Sequence, residues 1–154
     1  MLRNIKVFGI ATSEREDEYA IVKKAEDLQE VLAQSDFVVN MLPTTPKTTN
    51  FLSGQVLKGC KSDAVFINVG RSNVIDQTSL LNALNQNWIR HAILDVVPEE
   101  PLPPSNPLWD HAQCTSRFPF TTHFLTNSIP ACFSNLWQRG CGARVLPQSV
   151  VSVE

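Results

Sequence analysis

Four short runs dominated by apolar, often β-branched residues do most to limit what this chain can fold into. They lie at residues 5–10, 37–42, 64–69 and 92–97, each bounded by turn formers. Their apolar residues are consecutive rather than alternating, which marks strands buried on both faces. Between them the period changes. Ala25, Leu28, Val31 and Leu32 recur at helical spacing, as do Leu80, Leu81, Leu84 and Trp88 behind Asp76, a residue suited to an N-cap. Strands alternating with helices, joined by connections too long for hairpins, predict an α/β fold with a doubly wound parallel sheet.

Composition narrows the function classes. The 154 residues carry a formal charge of −2, which offers no basic field for nucleic acid or an anionic membrane surface. The apolar run at residues 64–67 falls far short of the roughly 20 residues of a membrane-spanning helix. Arg3 and Lys6 interrupt the start, so it does not read as a signal peptide, and a cytoplasmic setting is expected. Cys60, Cys114, Cys132 and Cys141 form no C-x-x-C pair and no metal-like pattern with His91, His111 or His123. They read as free structural thiols, with no metal site.

The chain changes character near residue 110. Of 15 Asp and Glu residues, 14 lie in 1–110 and the last is Glu154, whereas three of the four cysteines lie after the change. Five prolines from Pro98 to Pro107 make an extended connector. Beyond it, Phe118, Phe120, Phe124, Phe133 and Trp137 follow no strand or helix period. The division expected is therefore 1–110 as one α/β part and 111–154 as a divergent tail.

In a parallel α/β sheet, ligands bind beyond the carboxyl ends of the strands. Three segments answer there: Pro43 to Thr48, with several hydroxyls; Gly70-Arg71-Ser72, where glycine admits a close ligand and Arg71 offers a fork for a carboxylate; and Asp95 with Glu99 and Glu100. Each has a plainer reading. A Pro/Thr loop is usually only a loop, and an arginine after a strand usually makes a surface ion pair worth under about 1 kcal/mol. Convergence of an arginine, a strand-end aspartate and an acid on one edge is what favours a site.

The blocks Ser35 to Pro43 with Thr45, Pro46 and Thr48, then Ile67 to Arg71 with Val74 to Asp76, then Leu94 to Val96 with Glu100 to Pro103 and Pro107 to Trp109, resemble the D-isomer-specific 2-hydroxyacid dehydrogenases. The wording of the proline segment is most similar to the glyoxylate/hydroxypyruvate reductase branch. The resemblance implies a Rossmann-type NAD(P)-binding domain and reduction of a small 2-keto acid such as glyoxylate or hydroxypyruvate by hydride transfer from NADPH or NADH. It implies that Arg71 binds the carboxylate and carbonyl of the keto acid, and that Glu100 raises the pKa of a catalytic histidine. Pro43, Thr45, Thr48, Val69, Gly70, Arg71 and Asp95 would line the cofactor. Ser13 and Arg15 follow the first strand, which lacks an acid directly at its end to bind a ribose 2′-hydroxyl. This leans towards a 2′-phosphate and NADP.

The sequence also departs from that family. The glycine-rich turn G-x-G-x-x-G is not in it, and Gly140-Cys141-Gly142 is no substitute because Val145 holds the third glycine position. The family's first strand, which lies between the strands at 5–10 and 37–42, is not in the sequence either, so two unpaired edges are expected in mid-sheet. The family's Thr-Pro-His is replaced around Pro119, and His123 is the nearest histidine to carry the catalytic role. A second reading is therefore a catalytically inactive nucleotide-binding scaffold that acts through a partner, as a homodimer or paired with a longer homologue. A third is a chain that does not close a core.

Overall fold

The computed structural model describes residues 6–16, 18, 20–116 and the backbone of 149–153. Eight strands form one sheet: β1 (Lys6–Ile10), β2 (Arg15–Glu16), β3 (Ile21–Lys23), β4 (Phe37–Asn40), β5 (Val65–Asn68), β6 (His91–Leu94), β7 (Cys114–Ser116) and β8 (Ser149–Val153). Their spatial order is β2-β3-β1-β8-β4-β5-β6-β7. All neighbouring pairs are parallel except β2 with β3. The architecture is a Rossmann-type α/β fold, as the alternation of periods predicts.

The four predicted strands all form, each trimmed to four or five residues. β5, the most apolar, is buried along its whole length. Three further strands, β2, β3 and β7, were not apparent in the pattern. The departure with most consequence is β8. Two open edges were expected between β1 and β4, yet residues 149–153 lie there, paired in parallel with both: Val151 stands opposite Phe8 on one side and Val38 on the other.

The helical patterns also form, in shortened versions. Helix α1 (Leu28–Gln34) buries Leu28, Val31 and Leu32, while Ala25 belongs to a preceding 3₁₀ turn. Helix α2 (Gln77–Asn85) buries Leu80, Ala83 and Leu84. These residues join Phe8, Ile10, Val38, Phe66, Ile89 and Ala92 in one core. The proline segment contains no helix or strand, and Leu102 and Leu108 anchor it to that core. No helix among the described residues is long and apolar enough to cross a membrane.

Asp76 caps α2 as its position suggests. Its carboxylate accepts from the Ser79 amide at 2.8 Å and from the Ser79 hydroxyl at 2.5 Å. Ser79 Oγ in turn accepts from the amide of Gly54 at 2.6 Å, and the Asp76 amide donates to Ser53 Oγ at 2.9 Å. The cap thus ties α2 to a loop that turns at Gly54, whose φ of +72° is open to glycine at no steric cost. Bonding to Ser79 lowers the Asp76 pKa. Burial pushes the free thiols of Cys60 and Cys114 up to about 12 and about 11. Cys132 and Cys141 lie outside the described residues.

Two predictions follow from these contacts. Asp76→Ala is expected to lower stability by about 1 kcal/mol, measured by thermal or urea unfolding at pH 7, with Asp76→Asn recovering most of it. Because the folded-state pKa is lowered, this contribution is complete above the ordinary carboxylate value. It is lost only as the pH falls through the lower folded value, so the deficit of the alanine variant should be constant from pH 5 to 8. His91, bonded through Nε2 to Thr115 Oγ1 at 2.8 Å, has its pKa lowered by burial and then by Arg90 and His111. Its contribution is full above the ordinary value of about 6.5 and is lost as the pH falls from there through the folded value. Unfolding midpoints of wild type should therefore drop on acidification below pH 6.5 more steeply than those of His91→Gln; parallel curves would refute the assignment.

Candidate active site at the carboxyl edge of the sheet

β4 and β5 each end in an asparagine, and the two stand opposite one another in register. Both are buried, with 0% and 1% exposure. Asn40 Nδ2 donates to Asn68 Oδ1 at 2.7 Å, and both amides donate to the main-chain oxygen of Arg71, at 3.4 and 3.2 Å. Their oxygens accept from the amides of Leu42 at 3.0 Å and Gly70 at 3.3 Å. Two buried polar side chains are thereby satisfied by each other and by the two loops that leave the strands. The pair was missed in the sequence; an asparagine closing two successive apolar runs was the available signal.

Gly70 is required by this close packing. A Cβ there would lie 3.0 Å from Asn40 Nδ2 and from the Met41 main chain. Its neighbour Arg71 is exposed, with Nη1 donating only to its own neighbour's carbonyl, Gly70 O, at 3.0 Å. Among the described residues Arg71 makes no ion pair. The surface-pair reading of this arginine is thus not what the geometry displays, and its charge faces solvent at the strand ends. Beside it, Met41 and Val69 are 45% and 42% exposed, two of the three exposed large apolar residues among those described.

The segment from Pro43 to Thr48 is locked by its own hydroxyls. Thr48 Oγ1 donates to Pro43 O at 2.6 Å and accepts from the Thr45 amide at 2.8 Å, and the two threonine hydroxyls are 3.0 Å apart. Thr48 is consumed in shaping the loop, while Pro43 stays exposed and Thr45 half-buried. Asp95 is exposed just beyond β6, and its amide donates to Asn68 O at 2.9 Å. Glu100 is exposed, with Oε1 accepting from the Val97 amide at 3.5 Å. Ser13 and Arg15 are exposed beyond the carboxyl end of β1. His123 lies outside the described residues, as does Gly140-Cys141-Gly142.

Because the strands are parallel, all these segments leave one edge. From β1 to β6 is four strand spacings, about 19 Å at ~4.8 Å each. The edge therefore suits an extended ligand, with Ser13 and Arg15 towards one end and Met41, Val69, Arg71 and Asp95 towards the other. A shallow cleft lined by Asn68, Ser72, Ile75, Gln77, Val96 and Pro98 opens beside Arg71. The exposed apolar pair Met41 and Val69, next to an unpaired guanidinium, fits the nicotinamide half of a dinucleotide and an anionic substrate. For the pyrophosphate, no glycine-rich turn leads from a strand into a helix among the described residues, so the fit is confined to the flanks of the edge.

Comparison with known proteins agrees with this geometry. Residues 3–123 match the family model described as D-isomer specific 2-hydroxyacid dehydrogenase, NAD binding domain. The chain is similar to a D-isomer specific 2-hydroxyacid dehydrogenase from Xanthobacter autotrophicus Py2, at 36% identity and a TM-score of 0.68 over 72% of this chain and 37% of that one. It is similar to a family protein from Aeromonas salmonicida at 34% identity and TM-score 0.68, covering 87% and 42%. A third neighbour, an NADPH-dependent glyoxylate/hydroxypyruvate reductase from Sinorhizobium meliloti in complex with NADP and sulfate, shares 29% identity at TM-score 0.67, covering 86% and 43%. The chain spans less than half the length of these three. NAD or NADP is the cofactor class of the matched domain, and by sequence and fold the chain belongs to the D-isomer specific 2-hydroxyacid dehydrogenase family.

Proposed function

We propose that the chain is the cofactor-binding part of an NAD(P)H-dependent reductase of small 2-keto acids such as glyoxylate or hydroxypyruvate. The observation that carries this reading is Arg71: an exposed guanidinium without an acidic partner among the described residues, on a residue whose main-chain carbonyl accepts from the Asn40–Asn68 pair at an apolar strand edge. Arg71 binds the carboxylate of the keto acid and offsets charge that builds on its carbonyl oxygen. Bound NAD(P)H supplies the hydride. Met41, Val69, Gly70, Pro43 and Asp95 are the residues that would hold the nicotinamide half, the two exposed apolar side chains excluding water from it. Thr45 and Thr48 act by fixing the loop. Ser13 and Arg15 favour a 2′-phosphate and hence NADP, as does the NADP complex of the Sinorhizobium neighbour. Glu100 and His123 are the pair that the family resemblance assigns to proton donation to the forming alkoxide, His123 lying outside the described residues. The division into a partial NAD(P)-binding domain at 1–110 and a tail, a cytoplasmic setting, and pairing with a second copy or a longer homologue belong to the same proposal.

One observation favours a second reading, a nucleotide-binding scaffold without turnover. The interval at the strand-order switch is filled by β8, and no glycine-rich turn accompanies it among the described residues. The readings separate in one experiment. Tryptophan fluorescence is followed on heating with and without NADPH, then with oxalate added as a keto-acid mimic, for wild type and Arg71→Ala. At about a hundred times its Kd, NADPH should stabilise by about 2.7 kcal/mol, raising the midpoint by several degrees. Arg71→Ala should keep this shift, lose the further increment from oxalate, and reduce glyoxylate reduction about 10²-fold or more. A full NADPH shift without turnover would select the scaffold, and no shift with either nucleotide would reject both.

A further inference from the structure

β1 and β4 are each paired on their outer sides, with β3 and β5. Their inner sides face one another across a single strand width. Phe8, Ile10 and Val38 in this region are buried, with 4%, 3% and 0% exposure. Main-chain donors and acceptors left bare in such surroundings have no water to turn to, so the interval demands a strand. What fills it is far away in sequence: β8 is separated from β7 by the 32 residues 117–148.

The match is specific in three respects. All five residues of β8 pair with the five of β1, Ser149 with Lys6 through Val153 with Ile10. Four of them pair at the same time with the four of β4, Val150 with Phe37 through Val153 with Asn40. The segment Ser-Val-Val-Ser-Val has no charge, proline or glycine and three β-branched valines, a composition suited to a central strand. Distance is no obstacle: 32 residues extend to about 100 Å, against the ~19 Å from β7 to β8 across four strand spacings.

We propose that the interval between β1 and β4 is a strand-acceptor site whose ligand is the chain's own segment 149–153, and that the site takes the same segment as a free peptide when the attached copy is disabled. Recognition is by main-chain pairing on both sides, in the register that sets Val151 opposite Phe8 and Val38. The strand is held by β1, β4 and α1, not by elements adjacent to it in sequence. It is therefore replaceable without breaking the rest of the chain.

The test uses the full chain, as wild type and Val151→Pro, with a fluorescent peptide of residues 148–154. Proline at 151 removes a ladder donor in mid-sheet. In wild type, amides of 149–153 should exchange with deuterium as slowly as those of 37–40, and the labelled peptide should bind weakly or not at all. In Val151→Pro, amides of 6–10 and 37–40 should exchange at least 10-fold faster. The peptide should bind, raising fluorescence anisotropy and restoring protection, while a peptide with the same proline does neither. Should Val151→Pro not fold, the wild-type exchange alone decides. Fast exchange of 149–153 beside protected 37–40 would overturn the proposal, as would equal peptide binding to both chains. A wild-type dimer in sedimentation that Val151→Pro dissociates would overturn supply from the same chain and place the donor strand in a second copy.

Discussion

A strand buried on both faces must find main-chain partners along both of its edges, and the rest of this molecule is arranged around that demand. β4 and β5 carry few polar side chains and lie inside the core, so their amides and carbonyls can be satisfied only by neighbouring strands. Sequence order meets the demand from β4 to β7, because each crossover returns the chain one strand further along. It fails between β1 and β4, where the direction of winding reverses. That reversal is where parallel α/β folds place ligands. Here the same place is where the sheet depends on a segment from near the other end of the chain.

The carboxyl edge depends on a second, smaller constraint. Strands must stop somewhere, and the loops that leave them need their polar groups satisfied in a crowded place. Asn40 and Asn68 do this from inside the sheet, bonding to each other, to the first amides of both loops and to the carbonyl of Arg71. Leaving one of these buried amides without its partner would cost about 1–3 kcal/mol. The main chain at Arg71 is therefore fixed, while its side chain extends into solvent. The fixed main chain sets where this charge is rooted, while the rotamers of the side chain itself are still to be ordered when it meets an anion.

Local signals carried much of this. Apolar runs marked all four strands, although only β5 is buried at every residue while β4 and β6 alternate buried with half-buried ones, and Asp76 marked the start of α2 because capping is a three-residue affair. Ile21–Lys23 is too short for a period, and it follows a stretch dense in charge. Cys114–Ser116 contains no large apolar residue; it is a strand because β6 offers it an edge. Residues 149–153 were read as part of a tail without pattern, since pairing with β1 and β4 is a property of position in the sheet. At the site, Arg71 and Gly70 were legible as types. The Asn40–Asn68 contact was not, because it joins residues 28 apart that only strand register brings together.

Closing a sheet and holding a dinucleotide are separable tasks, and this chain divides them. A central strand needs β-branched side chains and free main-chain groups, which Ser149–Val153 offers to both neighbours. A pyrophosphate needs amides presented by a turn at a helix N-terminus, close enough that side chains must be absent. Val153, level with Ile10 and Asn40 at the carboxyl edge, is a valine at the position where such a turn would start with glycine. Residues suited to the nicotinamide and substrate side, around Arg71, stand on β4 to β6 and owe nothing to that turn. The stability of the fold and the geometry around Arg71 are therefore set by contacts that persist whether or not the phosphates are gripped. Turnover of bound cofactor, which needs more than these contacts, is the property on which the two readings of function diverge.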